Sequence, residues 1–287
     1  VHNRYEYGAI RMATRARIVM YAQDESTAAD AAAAAFDRIA DIESIISDYR
    51  LQSEVTKLRE ADPGVWVDLS EDLSAVLTEA IRATRQSDGA FDVGCGRMSS
   101  AWRLARSSGE QPQDWSRWVR SHGPGSGRLE VRQHQVRFET PIPWIDCGGI
   151  GKGFAADQAL STLMAYGIDV ALIELGGDIA LGGPPPGTDG WSIDFDIGDI
   201  TVQSAPLQLS WCGVATSGAG EQHISTGEQF ASHVIDPRTG EWVGRHADIT
   251  VIAPTAAQAD ALASAGCVIG HAALRQQLID QPGIRVY

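Results

Sequence analysis

The run Asp146-Cys-Gly-Gly-Ile-Gly-Lys-Gly-Phe-Ala-Ala-Asp, ending at Asp157, holds a dense group of residues able to do chemistry. Gly148, Gly149, Gly151 and Gly153 stand close together, with Lys152 among them. Glycine lets a ligand approach the main chain closely. Upstream, Val136, Phe138, Ile142 and Trp144 predict extended chain ending near Asp146; downstream, Phe154 to Met164 predicts an amphipathic helix. A helix start offers free N–H groups to an anion, and the lysine adds positive charge, so a phosphate is the expected guest. Neither familiar phosphate loop matches. The Walker loop needs Ser or Thr where Gly153 stands, and the dinucleotide fingerprint needs glycine where Phe154 stands. A tight connection whose glycines only avoid clashes is the plainer alternative.

Near the other end of the chain, Asp260 and Ser264 are four residues apart in a predicted helix and so share one face. A carboxylate and a hydroxyl on one face make a hard, all-oxygen half-site of the kind that suits Mg²⁺, which takes few protein ligands and completes its shell with water and substrate phosphates. A polar stripe on a surface helix is the competing explanation.

Composition narrows the choices. The 287 residues suffice for one large domain or two modest ones, and 44% hydrophobic content is ordinary for a globular protein. A formal net charge of −14 argues against nucleic acid as a partner and fits anionic membrane surfaces poorly. A phosphate-bearing ligand therefore needs local positive charge from Lys152, a metal, or both. Cys95, Cys147, Cys212 and Cys267 are widely spaced and indicate neither a zinc site nor a disulfide framework; buried thiols are expected. The sequence begins at Val1 rather than Met, so an upstream signal or lipid-anchor segment is compatible with it.

The elements that must position these residues alternate irregularly, which predicts an α+β fold of mixed or antiparallel sheets with packed helices rather than a doubly wound parallel sheet. One domain spanning 1–287 is expected, with a peripheral helical excursion around 99–127 that carries Trp102, Trp115 and Trp118. Ile10 to Tyr21 contains a predicted strand, and Ser26 to Ile46 a helix capped by Ser26 or Thr27. Ser53 caps a short helix, Val65 to Leu69 is a strand, and Ser70 to Ser87 is a helix. A second glycine-rich loop runs from Asp88 to Gly96, and Leu129 to Phe138 reads as a hairpin. Further strands are predicted at Val170–Leu175, Trp191–Ile197, Phe230–Ile235 and Ile249–Ala253, with Leu207–Trp211 pairing with Gly213–Thr216. Thr255 to Val268 is the last long helix, with Thr255 as its cap.

Taken together and in order, Met12-Ala-Thr, the Tyr49 segment, Ala90-Phe91-Asp92, the Asp146 glycine loop, Gly176-Gly177-Asp178, Thr216-Ser217-Gly218, Ser232-His-Val-Ile-Asp-Pro-Arg-Thr-Gly and Asp260-Ala-Leu-Ala-Ser resemble the FAD:protein FMN transferase family, over nearly the whole chain from Met12 to about Gly270. The resemblance implies an enzyme that moves the FMN half of FAD onto a Ser or Thr of an acceptor protein and releases AMP. It implies FAD as bound substrate across Met12, Tyr49, Ala90, Phe91, Asp92, Asp146 and Lys152, with the backbone near Ile235 in contact. It also implies Mg²⁺ held by Asp260, the Ser264 hydroxyl and the Gly149 carbonyl, with His233 as general base. An exported or periplasmic setting, anchored through a missing N-terminal segment, is favoured over a cytoplasmic one.

The chain departs from that family's pattern at several points. Ala13 stands for the usual glycine, Val93 to Met98 replaces Pro-Thr-Val-Gly-Pro-Leu, Ser264 replaces threonine, and Ala219-Gly220-Glu221-Gln222 stands where an aromatic and an arginine are common. Two rivals share the site: a metal-dependent FAD pyrophosphatase giving FMN and AMP, and a flavin-binding protein without transferase activity.

Overall fold

The structure is a computed structural model and describes residues 2–108, 129–139, 144–194, 206–218, 223–226, 229–244 and 248–287. Its strands are β1 (Asn3–Arg11), β2 (Thr14–Ala22), β3 (Trp66–Asp68), β4 (Leu129–Arg132), β5 (Gln135–Phe138), β6 (Ala171–Leu175), β7 (Asp178–Leu181), β8 (Trp191–Ile193), β9 (Leu207–Leu209), β10 (Cys212–Ser217), β11 (His223–Thr226), β12 (Gln229–Ser232), β13 (Ile249–Ala253) and β14 (Arg285–Val286). The seven-stranded sheet runs β1-β2-β6-β7-β10-β13-β14, and every adjacent pair is antiparallel. The fold is α+β, as the irregular order of elements predicted.

Both faces of this sheet are covered, which explains why its central strands read as nearly continuous apolar runs. Successive side chains point to opposite faces. Ile18, Met20, Ile173, Val251 and Ala253 join the main core, whereas Val19, Leu172, Leu181, Val214 and Ile252 pack under the β8–β9 hairpin with Trp191, Ile193 and Leu209. The main-core face is layered by helices Glu25–Ile46, Gly151–Ala165 and Ala256–Ile269. Their contact faces are built from small residues, among them Ala28, Ala31, Ala35, Ala155, Ala156, Ala159, Ala259 and Ala263, all fully buried. Small side chains bring these helix axes close together, and that closeness is what assembles the site.

Several expected boundaries shift. The strand expected within Ile10 to Tyr21 is β2, which starts earlier, at Thr14; before it, Met12 and Ala13 form the bend of a hairpin at φ 50° and 57°, with Arg11 pairing with Thr14. β1 escapes periodicity reading because its alternation is between exposed and half-buried positions. The first helix is capped by Asp24, whose Oδ1 accepts from the Thr27 N–H at 2.9 Å, two or three residues before the Ser26 or Thr27 cap expected from residue type. Ser53 and Thr255 cap as predicted, and Ser70 also caps its helix, its side chain accepting from the Leu73 N–H. Leu207–Leu209 pairs with Trp191–Ile193, not with the following strand; Cys212–Ser217 instead lies between β7 and β13. The residues from Trp144 to Cys147 form no strand, so Asp146 lies in an irregular segment. Of the helical excursion, Gly96–Ser108 is helix, while 109–128 falls outside the described residues. Among the described residues no helix is long and apolar enough to cross a membrane.

Candidate active site

The glycine loop takes its shape from hydrogen bonds to the second glycine-rich loop. Asp146 N–H donates to Val93 O at 2.7 Å and Gly96 N–H to Trp144 O at 2.8 Å, so the two loops run side by side. Phe91 N–H donates to the Ser87 hydroxyl and Asp92 Oδ1 accepts from Gly94 N–H at 2.6 Å, which fixes Ala90 to Asp92 beside Asp146. Asp146 Oδ1 accepts from Gly148 N–H at 2.8 Å, tightening the turn. The helix begins at Gly151, so Lys152 sits in its first turn rather than in the loop.

Gly153 meets the last long helix where a side chain could not fit. A Cβ there would lie 2.2 Å from Ala256 O. Asp157, one turn further on, accepts from Ala256 N–H and Ala257 N–H at 2.9 Å each, so a carboxylate of one helix caps the other. Burial pushes the Asp157 carboxyl up to about 6, against the pull of these two N–H groups. This joint sets Lys152 and Asp260 face to face. Asp260 is buried, Gly153 N–H donates to its Oδ2 at 3.2 Å, and the Lys152 ammonium lies 3.7 Å from that oxygen. Asp178, at the start of β7, comes to 2.6 Å from the same ammonium. Burial alone would lower the lysine's pKa; Asp260 and Asp178 more than offset it and hold the ammonium above its ordinary value. Burial first, then the Asp260 charge, raises the Asp178 carboxyl. The expected phosphate perch is thus changed in kind: the Gly153 N–H and Lys152 already serve carboxylates.

Ser264 lies one helical turn beyond Asp260, and Gly149 is seated so close that a Cβ there would be 2.9 Å from the Ser264 hydroxyl oxygen. The last helix is buried along most of its length, which removes the surface-stripe explanation for the Asp260–Ser264 pair. The buried Asp260 carboxylate, the half-buried Ser264 hydroxyl and the peptide backbone at Gly149, gathered in one corner, fit a hard cation in the chemistry of their oxygens. Among the described residues no group of three or more His, Cys, Asp and Glu side chains is gathered for a metal. A cation here would accordingly take part of its shell from substrate and water, the habit of Mg²⁺.

These residues line one cleft of about 970 Å³. Tyr49, Ala90, Phe91, Asp92, Asp146, Gly149, Lys152, His233, Ile235, Asp260 and Ser264 all reach it. Met12 does not; it is half-buried in the β1–β2 bend, its N–H donating to Glu43 Oε2 at 3.3 Å. His233 follows β12 at a bend, with Trp102 edge-on to its ring at 6.2 Å between centroids. Ile235 bridges to Trp242 across the Asp236–Gly240 turn, where Arg238 closes onto Asp236. Ala219 to Gln222 lies outside the described residues.

Sequence reasoning missed a charged wall of this cleft. Arg103, on helix Gly96–Ser108, pairs with Asp48, reaches Asp146 at 3.7 Å, and lies over the Tyr49 ring at 4.7 Å. Burial, then the nearby Asp146 charge, raises the Asp48 carboxyl, with Arg103 pulling it back. The only local signal was adjacency: Asp48 precedes Tyr49, and Arg103 follows Trp102.

An antiparallel sheet backed by small-residue helices thus brings a glycine loop and a lysine–carboxylate cluster to one cleft of about 970 Å³, the architecture of a protein that binds a sizeable small molecule. A family model described as the ApbE family matches residues 12–287, and the chain belongs to that family. It is 29% identical over 247 residues to the FAD:protein FMN transferase of Haemophilus influenzae, covering 80% of this chain and 70% of that one. It is 28% identical to the enzyme of the same name from Treponema pallidum, covering 98% and 83%. The ApbE protein of Thermotoga maritima superposes with a TM-score of 0.84 at 27% identity, covering 99% of this chain and 93% of that one. The fold is shared with the flavin transferase ApbE of Vibrio cholerae at a TM-score of 0.80 and 23% identity, over 100% and 97% of the two chains.

Proposed function

We propose that this chain is an FAD:protein FMN transferase that moves FMN from FAD to a Ser or Thr hydroxyl of an acceptor protein and releases AMP. The observation that carries the reading is the convergence, on one cleft, of nearly every residue the family resemblance implies. A volume near 970 Å³ is at the upper end of small-molecule sites, as a dinucleotide requires.

In the reaction, the acceptor hydroxyl oxygen forms a bond to the FMN phosphorus while the bond from that phosphorus to the bridging oxygen breaks, and AMP leaves with that oxygen. His233, at the cleft wall, takes the hydroxyl proton as general base. Lys152 lines the same cleft, but its ammonium is engaged by Asp178 and Asp260, so positive charge beside the pyrophosphate would come chiefly from a bound cation. Tyr49, three-quarters exposed at the mouth, offers a flat face to the ring system. Asp260, Ser264 and the Gly149 carbonyl would hold Mg²⁺, which when bound neutralises pyrophosphate and leaving-group charge.

Mass spectrometry of a Ser- or Thr-bearing acceptor incubated with the protein, FAD and Mg²⁺ tests this. The expected result is an acceptor heavier by FMN less one water, with equimolar AMP. FMN appearing free, with the acceptor unmodified, would replace transfer by FAD hydrolysis. Absence of AMP under all metal conditions would leave the chain a flavin-binding protein.

A further inference from the structure

Lys152 stands between two carboxylates, and the two distances differ. Its ammonium is 2.6 Å from Asp178 Oδ2 and 3.7 Å from Asp260 Oδ2. Asp178 is held there by rigid backbone. It opens β7, pairs in register with Leu175, and is reached through a two-residue hairpin turn in which Gly176 and Gly177 both take positive φ, 60° and 94°. Its side chain is 3% exposed, and its Oδ2 accepts no aligned hydrogen bond; closeness to the ammonium is that oxygen's compensation for burial. A buried acid with so little satisfaction is a poor stabilising device.

We propose that Asp178 is a positioning residue: by drawing the Lys152 ammonium to itself, it keeps the Asp260 carboxylate open to a divalent cation. The inference rests on Asp260 being a metal ligand, as read above. Without a carboxylate at 178, Asp260 is the nearest anion to the lysine. A shift of the ammonium by about 1 Å would turn the 3.7 Å approach into a direct ion pair, given the 2.7–2.9 Å of such contacts. Lysine and metal would then compete for one carboxylate. With Asp178 present, Lys152 keeps its charge in the cleft and leaves Asp260 with the Gly153 N–H as its close donor.

Calorimetric titration of Mn²⁺, a cation that accepts the same oxygen ligands as Mg²⁺, into the full chain tests this in a double-mutant cycle. Asp178→Asn should weaken Mn²⁺ binding by about 10–100-fold, the usual effect of losing a group that orients a ligand. In a Lys152→Met background the same Asp178→Asn change should have little effect, because the competitor is gone. Asp178→Glu, whose carboxylate still reaches the ammonium, should keep most of the affinity. Asp178→Ser replaces the Asn variant if circular dichroism shows the latter unfolded. Equal losses in both backgrounds would overturn the proposal by making Asp178 a direct contributor to the metal's field. Unchanged affinity in Asp178→Asn would overturn it while leaving the metal reading intact. No saturable Mn²⁺ binding by the unsubstituted chain would remove both.

Discussion

At the scale of single residues, the cleft contains groups whose neighbours decide their chemistry. His233 is placed to take a proton yet also packs edge-on to Trp102, so a catalytic and a structural role make different predictions. His233→Ala is expected to lower single-turnover transfer by about 10²–10⁴-fold, the usual worth of a positioned base, with FAD affinity and Tm nearly unchanged. Parallel falls in affinity and Tm would make it a packing residue instead. Asp157 shows the opposite balance. Its carboxyl is raised to about 6, so the folded protein holds that proton more tightly than the unfolded chain does. Its contribution to stability is therefore complete below about pH 4, the ordinary aspartate range, and is lost as pH rises through about 6. Stability of the unsubstituted chain relative to Asp157→Asn should fall by up to roughly 3 kcal/mol over that interval. Denaturant unfolding from pH 4 to 7 measures this, and a flat difference would sink it. The motif residues were readable in the sequence because each belongs to a short local pattern. Asp48 and Arg103 acquire their roles from partners distant in the chain, which residue type alone does not announce; Asp178 was legible as part of Gly176-Gly177-Asp178, but its contact with Lys152 was not.

At the scale of elements, the site depends on how closely two helices approach. Gly153 permits the contact and Asp157 locks it, so Gly153→Ala must drive helix Gly151–Ala165 away from helix Ala256–Ile269. Overpacking of this kind costs about 1–3 kcal/mol or more. It should also separate Lys152 from Asp260. Reduced Tm together with weakened Mn²⁺ binding is expected, and a variant with native Tm and native metal affinity would refute the close-approach argument. Arg103 braces the cleft differently, tying the segment after the first helix to the glycine loop. Arg103→Ala leaves the Asp48 and Asp146 carboxylates to repel one another. Lower FAD affinity, with a Tm loss that salt partly restores, is the expected result; unchanged FAD binding would place Arg103 outside the site. Long helices were readable because their caps and apolar spacing are local, as at Thr255. The sheet was less so. β1 has little apolar alternation, and the β8–β9 pairing joins segments separated by residues 194–206, where chain proximity offers no guide.

At the scale of the whole molecule, the cleft is walled by the segment after the first helix, the two glycine-rich loops, helix Gly96–Ser108, β10, the segment after β12 and the last helix. Alanine-rich helices pack on one face of the sheet and the β8–β9 hairpin on the other, and much of the cleft's lining comes from the connections between elements. A ligand that bridges these walls binds the folded chain and not the unfolded one. At about 100 times its dissociation constant, FAD should therefore add about 2.7 kcal/mol to stability. For a chain of this size that corresponds to a Tm increase of roughly 5–10 °C. Mg²⁺ added to the FAD complex should raise Tm again, since the Asp260–Ser264 corner and the pyrophosphate would share the cation. Asp260→Ala should keep the FAD increment and lose the Mg²⁺ increment, because alanine removes the carboxylate but leaves Tyr49 and the two glycine-rich loops in place. Thermal unfolding with FAD, with Mg²⁺ and with both, on the two proteins, separates the terms. A Mg²⁺ increment that survives in Asp260→Ala would place the cation elsewhere in the cleft, and loss of the FAD increment in that variant would make Asp260 a determinant of flavin binding itself.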